Sequence, residues 1–219
     1  MSVVVAIKNE GKVYIGADSQ VTKGGTRTTL KNPNNYKIWK VEGADQCLMA
    51  HVGNVRDANV VRLMTGIVDD YDVYRNRVDY RFVVKYLVPQ IIKTLNEAHY
   101  LRSGDGYLDY MDSSFLFAYK DKLFMINTDG CVIEVDDYVA IGSGSQEAIG
   151  SLLSTEGQNT KNRIVKAIKA SAANDIYVDY PIILTDTGEG ETSFEIVTEK
   201  NEGKYLGKNE QKAKGDNSK

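Results

Sequence analysis

The sequence predicts an α+β fold of four layers, in which two antiparallel β-sheets pack face to face and helices cover both outer faces. Short runs of β-branched and aromatic residues, bounded by turn residues, predict strands that occur in groups. Two pairs of segments with helical spacing separate these groups, so strands and helices do not alternate as they do in parallel sheets. A helix-covered double sheet buries the apolar faces of all these elements.

The first half of the chain contains two predicted strand pairs and two predicted helices. Apolar runs at 2–7 and 12–17 flank Asn9-Glu10-Gly11, which predicts a hairpin. A second strand pair is predicted at 36–41 and 46–52, around the turn residues 42–45. Helical spacing begins at about Asn54, continues over 60–68 and recurs over 82–95, where Pro89 predicts a kink or a late start.

The second half repeats this order. The segment 99–112 is rich in Gly, Asp and Ser and is predicted to be a loop. Short strands at 115–119, 122–127, 131–135 and 138–141 follow, and we expect them to form an antiparallel meander. Helices are predicted at 146–154 and 161–173, and final strands at 181–184 and 194–198.

Length and composition predict one domain with a tail. A chain of 219 residues is long enough to bury one substantial core, so we expect residues 1–199 to form a single domain. Residues 200–219 are dominated by Lys, Glu, Asn and Gly, which bury little apolar surface. We therefore expect a flexible charged tail there.

Charge and cysteine content exclude several classes of function. With 27 basic and 30 acidic residues the net charge is -3, which does not suggest a nucleic-acid partner. The first apolar run ends at Lys8, so we expect no secretory leader, and no stretch approaches the ~20 apolar residues of a membrane span. Cys47 and Cys131 are too few for a disulfide framework and favour a reducing cytoplasm. With His51 and His99 as the only histidines, we expect neither a metal site nor a histidine-dependent serine triad.

Ser2 is the first candidate for chemistry. The Met-Ser start means little alone, because initiator methionine is normally removed before a small residue. Here, however, the chain enters a predicted strand at once, and a strand end positions a side chain rigidly. A terminal serine also carries an α-amine with an unperturbed pKa of about 7.7 to 8.0, which can accept the hydroxyl proton. Such a nucleophile needs no histidine.

Four segments, in order along the chain, carry a family resemblance. Residues 2–7 (SVVVAI), 14–20 (YIGADSQ), 35–41 (NYKIWKV) and 138–145 (YVAIGSGS) resemble the proteasome β-subunit and HslV family of N-terminal nucleophile hydrolases. The family's nucleophilic threonine lies sixteen residues before an aspartate, and Ser2 stands sixteen residues before Asp18. The resemblance extends over roughly residues 2–200 and implies the same four-layer fold.

The resemblance also implies roles for charged and hydroxyl residues. Lys37 matches the catalytic lysine, which would favour the Ser2 alkoxide, while Asp18 would keep this lysine charged and oriented. A surface ion pair is the alternative for Asp18 and Lys37. Ser143 and Asp175 match residues that bond near the terminal amine. A turn with Ser145 capping the next helix is the alternative for the Ser143 segment.

The family's oxyanion donor and substrate cleft match further positions. Gly53 matches the glycine whose backbone N–H faces the developing oxyanion, although a glycine also suits a strand end. The residues that match the cleft are Val21, Thr22, Trp39, His51 and Val55. Thr22 would pair with a substrate backbone as an added strand. Val178 departs from the family pattern, which often has serine three residues after the aspartate matched by Asp175.

The implied function is cleavage of peptides or unfolded proteins by Ser2 after removal of Met1, without a metal or cofactor. The resemblance further implies homo-oligomeric stacked rings of six or seven subunits and an AAA+ unfoldase partner. A structural ring subunit without activity is an alternative, although the chain lacks the extra N-terminal helix of α-type subunits. An amidase or transpeptidase on the same scaffold is another.

Overall fold

The computed structural model describes residues 2–66, 78–103 and 109–206, and it describes only the backbone of Ser103 and Asp109. The strands are β1 Val3–Asn9, β2 Lys12–Ala17, β3 Gln20–Lys23, β4 Thr26–Thr29, β5 Ile38–Lys40, β6 Cys47–Gly53, β7 Arg102–Ser103, β8 Asp109–Tyr110, β9 Ser113–Tyr119, β10 Lys122–Ile126, β11 Val132–Glu134, β12 Tyr138–Gly142, β13 Ile182–Asp186 and β14 Glu195–Val197. The helices are α1 Val55–Arg62, α2 Tyr80–Phe82, α3 Val88–Glu97, α4 Ser145–Ser154 and α5 Thr160–Asn174. A π-helical segment, Val83–Leu87, joins α2 to α3.

Two five-stranded sheets form the centre of the molecule. The first has the order β12-β1-β2-β13-β14, the second has the order β11-β10-β9-β6-β5, and neighbours in both are antiparallel. Successive side chains of a strand point to opposite faces, so Val4 of β1 lies between the sheets with Leu48 and Leu116. Val3 and Val5 point the other way, toward α4 and α5, and the second sheet packs α1, α2 and α3 on its outer face. The predicted four-layer sandwich is therefore confirmed.

The first hairpin positions the start of the chain. Glu10 and Gly11 both have positive φ, 51° and 73°, which is the geometry of a tight two-residue hairpin turn. β1 is paired on both sides, with β2 and with β12. Ser2, just before β1, therefore lies at the end of a central, fully paired strand. Met1 lies outside the described residues.

The predicted meander is wrong in its last strand. β9, β10 and β11 are successive neighbours in the second sheet, but β12 crosses to the first sheet and pairs with β1. Two two-stranded pairs, β3–β4 and β7–β8, were not predicted. The β3–β4 segment is mostly polar and exposed, so it has no buried face to give an alternating apolar pattern.

The helices follow the predicted apolar spacing, with two differences. α1 ends at Arg62, before the end of the predicted helical pattern, of which residues 67 and 68 lie outside the described part of the chain. Pro89 has no N–H and cannot continue an α-helical ladder, and the π-helical segment directly precedes the α-helix in which Pro89 stands. None of the helices that are described combines the length and the apolar character needed to cross a lipid bilayer.

The predicted flexible tail starts too early. Residues Glu202–Lys204 form a short 3₁₀ helix, and Tyr205 and Leu206 are buried in the apolar cluster around α4 and α5. Glu202 is also buried and accepts a hydrogen bond from the Tyr180 hydroxyl. The polar composition of residues 200–206 concealed these two anchoring side chains. Residues 207–219 lie outside the described residues.

Candidate active site

Three side chains from three elements meet beside the start of β1. The Lys37 Nζ lies 2.7 Å from Ser2 Oγ, 2.7 Å from Asp18 Oδ1 and 2.6 Å from the backbone oxygen of Gln20. An ammonium carries three hydrogens, and these three acceptors match them. Lys37 stands just before β5, where its backbone oxygen accepts from His51 N at 2.9 Å and extends the β5–β6 ladder.

The Asp18 carboxylate is fixed by the backbone on both sides. Its Oδ1 accepts a hydrogen bond from Val3 N at 3.0 Å, and its Oδ2 accepts one from Gln20 N at 2.9 Å. These bonds tie the end of β2 to the first residue of β1. Asp18 therefore holds Lys37 at a fixed place beside Ser2 whether or not the Ser2 hydroxyl is engaged.

Burial strengthens the electrostatic interactions among Ser2, Asp18 and Lys37, which together form the charge centre. Asp18, Lys37 and Ser2 are 1%, 2% and 4% exposed, so water screens their interactions weakly. Burial lowers the pKa of Lys37, while the Asp18 carboxylate and, more weakly, Asp175 oppose that shift. A surface ion pair, the alternative drawn from the sequence, does not describe Asp18 and Lys37, because both are in the interior.

The backbone nitrogen of Ser2 faces the β12–α4 junction. Ser2 N donates to Ser143 Oγ at 3.1 Å, and Gly144 N donates to the Ser2 backbone oxygen at 3.4 Å. Gly142 has φ +104°, and a Cβ there would lie 2.1 Å from the Ser2 oxygen. Only glycine therefore lets β12 approach so closely. Ser145 is the first residue of α4 and not its N-cap, which is Gly144 without a side-chain bond.

Asp175 is the C-cap of α5. Its Oδ1 accepts from Tyr177 N at 2.8 Å. Its Oδ2 is buried and has no hydrogen-bond partner among the described residues. Val178, at the position where the family pattern often has a serine, is buried in the apolar cluster of the first sheet, and its side chain offers no donor. The carboxylate acts electrostatically on Lys37.

Gly53 ends β6 in a conformation that excludes other residues. Its φ is +116°, and a Cβ would lie 2.3 Å from the backbone oxygen of Asp112. The next residue, Asn54, donates its N–H to Ser113 Oγ at 3.0 Å and caps α1. Asp57, fully buried in α1, accepts from Asp112 N at 3.1 Å, and burial raises the pKa of Asp57. This network fixes the peptide groups around Gly53.

The predicted cleft residues Val21 and Thr22 lie in β3, beside the charge centre. β3 pairs only with β4 among the described strands, which leaves its other edge unpaired. Gln20 connects this strand to the site: its side-chain Nε2 donates to Thr22 Oγ1 at 2.9 Å and to the Ile176 backbone oxygen at 2.8 Å. Its backbone contacts both Asp18 and Lys37, as described above.

Trp39 and His51 lie on neighbouring strands of the second sheet. Their ring centroids are 5.9 Å apart, and both side chains are buried. Burial, then the charges of Lys37 and Arg62, lower the pKa of His51 to about 3. Val55, half-buried, is the first residue of α1, two residues after Gly53.

Sequence reasoning missed Gln20, Ser113, Asp57 and Arg62. Gln20 stands inside the quoted motif at residues 14–20, so its place next to Asp18 was a usable signal. Ser113 and Asp57 depend on the pairing of β6 with β9 and on the packing of α1, which no local pattern reveals. Across the described ranges, no group of three or more His, Cys, Asp or Glu side chains is arranged to hold a metal ion.

Comparison with known proteins gives one family and one fold. Residues 2–179 match the family model for proteasome subunits. The ATP-dependent protease subunit HslV of Borrelia duttonii (strain Ly) is 28% identical over 189 residues, covering 84% of this chain and 96% of the relative. The structure of Thiobacillus denitrificans BPH in complex with epoxomicin superposes with a TM-score of 0.62 at 19% identity, covering 90% of this chain and 99% of that one. Eukaryotic HslV from Trypanosoma brucei gives a TM-score of 0.60 at 16% identity, covering 84% and 98%.

Proposed function

The chain belongs to the proteasome subunit family, and on that premise we propose that it is a peptidase whose nucleophile is Ser2 after removal of Met1. The observation that carries the proposal is the contact of the Lys37 ammonium with Ser2 Oγ, 2.7 Å away in the buried interior. A cation at this distance stabilises an alkoxide on Ser2 and therefore raises the nucleophilicity of the hydroxyl.

The general base that accepts the Ser2 hydroxyl proton has to be a group other than Lys37. All three ammonium hydrogens face acceptors, and an ammonium has no lone pair with which to take up a proton. While Met1 is attached, Ser2 N is a peptide nitrogen and is not basic. Once Met1 is removed the same atom becomes an α-amine, whose unperturbed pKa is about 7.7 to 8.0. The nearby Lys37 charge favours its neutral, proton-accepting form.

Ser143 and Asp175 support this amine. Ser143 Oγ, 3.1 Å from Ser2 N, accepts one of its hydrogens and fixes the direction of its lone pair. Asp175 Oδ2, which has no hydrogen-bond partner among the described residues, stabilises the positive charge that the amine gains when it takes up the hydroxyl proton. Both groups therefore position and charge-balance the base, and Ser2 makes the new bond.

The reaction proceeds in two halves. Ser2 Oγ attacks the carbonyl carbon of the peptide bond, its proton passes to the α-amine, and the Gly53 N–H donates to the oxyanion. The C–N bond then breaks, the leaving nitrogen takes the proton, and an ester to Ser2 is left. Water attacks that ester after giving a proton to the amine, and the proton returns to Ser2 Oγ as the acid leaves. Val21, Thr22, Trp39, His51 and Val55 would line the peptide-binding cleft, with Thr22 on an added-strand edge.

A paired measurement of mass and turnover tests the proposal. Intact mass spectrometry of the purified protein is expected to show loss of Met1. Wild type is expected to hydrolyse fluorogenic peptides and to be labelled at Ser2 by epoxomicin, the compound present in the BPH structure. Ser2→Ala is expected to fold and assemble but to show neither turnover nor labelling. Ser19→Ala, a matched change of a buried serine whose Oγ has no partner among the described residues, is expected to keep both.

The same experiment separates the alternatives. Retained Met1 with no labelling identifies a structural ring subunit without activity. If Ser2 is labelled but no peptide is cleaved, hydrolysis of small amides identifies an amidase. Joining of peptides instead identifies a transpeptidase.

Assembly and location are parts of the same proposal. We propose homo-oligomeric stacked rings of six or seven subunits that act on peptides and unfolded proteins with an AAA+ unfoldase, as the name of the ATP-dependent HslV relative suggests. A single domain that extends at least to the buried Leu206 and a cytoplasmic location belong to this proposal, the latter supported by two free cysteines. Native mass spectrometry of the purified chain measures the ring size.

A further inference from the structure

Arg62, the last residue of α1, is partly buried, and its guanidinium has no carboxylate partner among the described residues. Its guanidinium carbon lies 4.9 Å from the centroid of the Trp39 ring, and its Nη2 donates to the backbone oxygen of Tyr36. Its Nε and Nη1 are sealed from water and have no hydrogen-bond partner in the described part of the chain. Buried donors in proteins are almost always paired, and a buried arginine is normally matched by a carboxylate.

Consecutive contacts connect Arg62 to the charge centre. Arg62 stacks on Trp39, Trp39 packs against His51, and His51 N donates to the backbone oxygen of Lys37. Trp39 and His51 are two of the residues that would form the first side-chain pocket of the cleft. Arg62 therefore contacts the proposed pocket from the side of the Trp39 ring that it stacks on.

Positive charges on two neighbouring residues act on the His51 ring. Two cations, Lys37 and Arg62, lower the pKa of His51 in addition to the effect of burial, and the imidazole is neutral at pH 7. His51 Nδ1 is likewise buried without a partner among the residues described. Asp18 is already committed to Lys37 and two backbone N–H groups. The unsatisfied polar atoms at this side of the site are thus the guanidinium nitrogens and an imidazole nitrogen.

A carboxylate can pair with these unsatisfied nitrogens of Arg62 and His51. It accepts hydrogen bonds from a guanidinium and from an imidazole N–H, and its charge offsets that of Arg62. Because the nitrogens are shielded from water, a carboxylate that reaches them interacts in a low-dielectric environment. An apolar side chain in the same pocket leaves the buried donors unpaired.

We propose, on the basis of the peptidase function proposed above, that Arg62 selects peptides with an acidic residue immediately before the cleaved bond. Arg62 is a specificity-determining residue in this proposal, and His51 assists by presenting its neutral ring to the same carboxylate.

Three fluorogenic peptides that differ only in the residue before the fluorophore test the proposal. That residue is Glu, its neutral isostere Gln, or Leu. The kcat/KM of wild type is expected to be at least tenfold higher for Glu than for Gln or Leu. Arg62→Met is expected to lower the Glu-to-Leu ratio at least tenfold, while Arg62→Lys, which keeps the charge, retains a ratio at least threefold above that of Arg62→Met. Epoxomicin labelling of Ser2 in each variant checks that its site is assembled.

Arg56→Met is the matched control. Arg56 lies on the same helix, but it already pairs with Asp57 and Asp112 and stacks on Tyr100, so the Glu-to-Leu ratio is expected to stay within twofold of wild type. Two results overturn this inference and leave the proposed function in place. One is wild type that is labelled at Ser2 but has a higher kcat/KM for the Leu peptide than for the Glu peptide. The other is Arg62→Met whose kcat/KM falls equally for all three peptides. Neither labelling nor turnover with any peptide overturns the proposed function and this inference with it.

Discussion

Replacement of Lys37 by methionine tests both the stability and the chemistry of the charge centre. The change keeps the length of the side chain and removes its charge, so the Asp18 carboxylate is left buried without its cation. Breaking a buried ion pair by removing one partner costs about 3 to 5 kcal/mol. Two backbone N–H groups still donate to Asp18, so we expect the lower end, about 3 kcal/mol of the free energy of unfolding.

A second variant isolates the pair itself. Lys37→Met combined with Asp18→Asn removes both charges of this pair, so the loss is expected to be smaller than the sum of the two single changes by at least about 1.5 kcal/mol. Urea unfolding at fixed protein concentration measures all four proteins, with the fluorescence of Trp39, the only tryptophan, as the signal. A loss below about 1 kcal/mol in Lys37→Met, or additive losses, would refute the reasoning from burial. Turnover of Lys37→Met is expected to fall at least about 100-fold.

Two further predictions concern Gly53 and His51. Gly53→Ala is expected to lower the free energy of unfolding by about 2 kcal/mol, because its φ is +116° and a Cβ lies 2.3 Å from the Asp112 oxygen. Gly11→Ala, with positive φ but no atom within 4 Å, is expected to cost about half as much, and equal losses in urea would contradict the steric explanation. The His51 pKa of about 3 in the folded chain lies below the unfolded value, so stability is fully present above about pH 6.5 and falls by about 1.4 kcal/mol per pH unit toward pH 3. His51→Gln is expected to remove that slope between pH 6 and 5, and parallel pH dependences of the two proteins would show that His51 does not take part.

The elements that the sequence predicted well are those with a buried face. β1, β2, β9 and β10 alternate or run apolar because they are central strands, and α3, α4 and α5 each place an apolar stripe on a sheet. The β3–β4 hairpin is polar on both sides and gave no such signal. β12 pairs with β1 in the first sheet and not with β11. This pairing joins residues far apart in sequence, so the local pattern of four successive strands could not predict it.

The candidate site divides in the same way. Ser2, Asp18 and Lys37 were identified because they stand in motifs with fixed spacing, and the structure brings their side chains together. No local sequence motif distinguishes Arg62 from the other arginines of the chain. Its importance comes from the Trp39 ring beneath it and from the absence of a carboxylate partner in the described residues, and both depend on the three-dimensional packing of α1.

Gln20 connects the β3–β4 hairpin to the Lys37 ammonium. Its side-chain amide donates to Thr22 of β3 and to the Ile176 backbone oxygen, while its own backbone carbonyl accepts a hydrogen bond from Lys37. In the proposed peptidase, one residue thus connects the strand that binds the peptide with the ammonium that activates Ser2. If the proposed function holds, a change that loosens the β3–β4 hairpin will disturb turnover as well as affinity, because the same residue contacts the hairpin and Lys37.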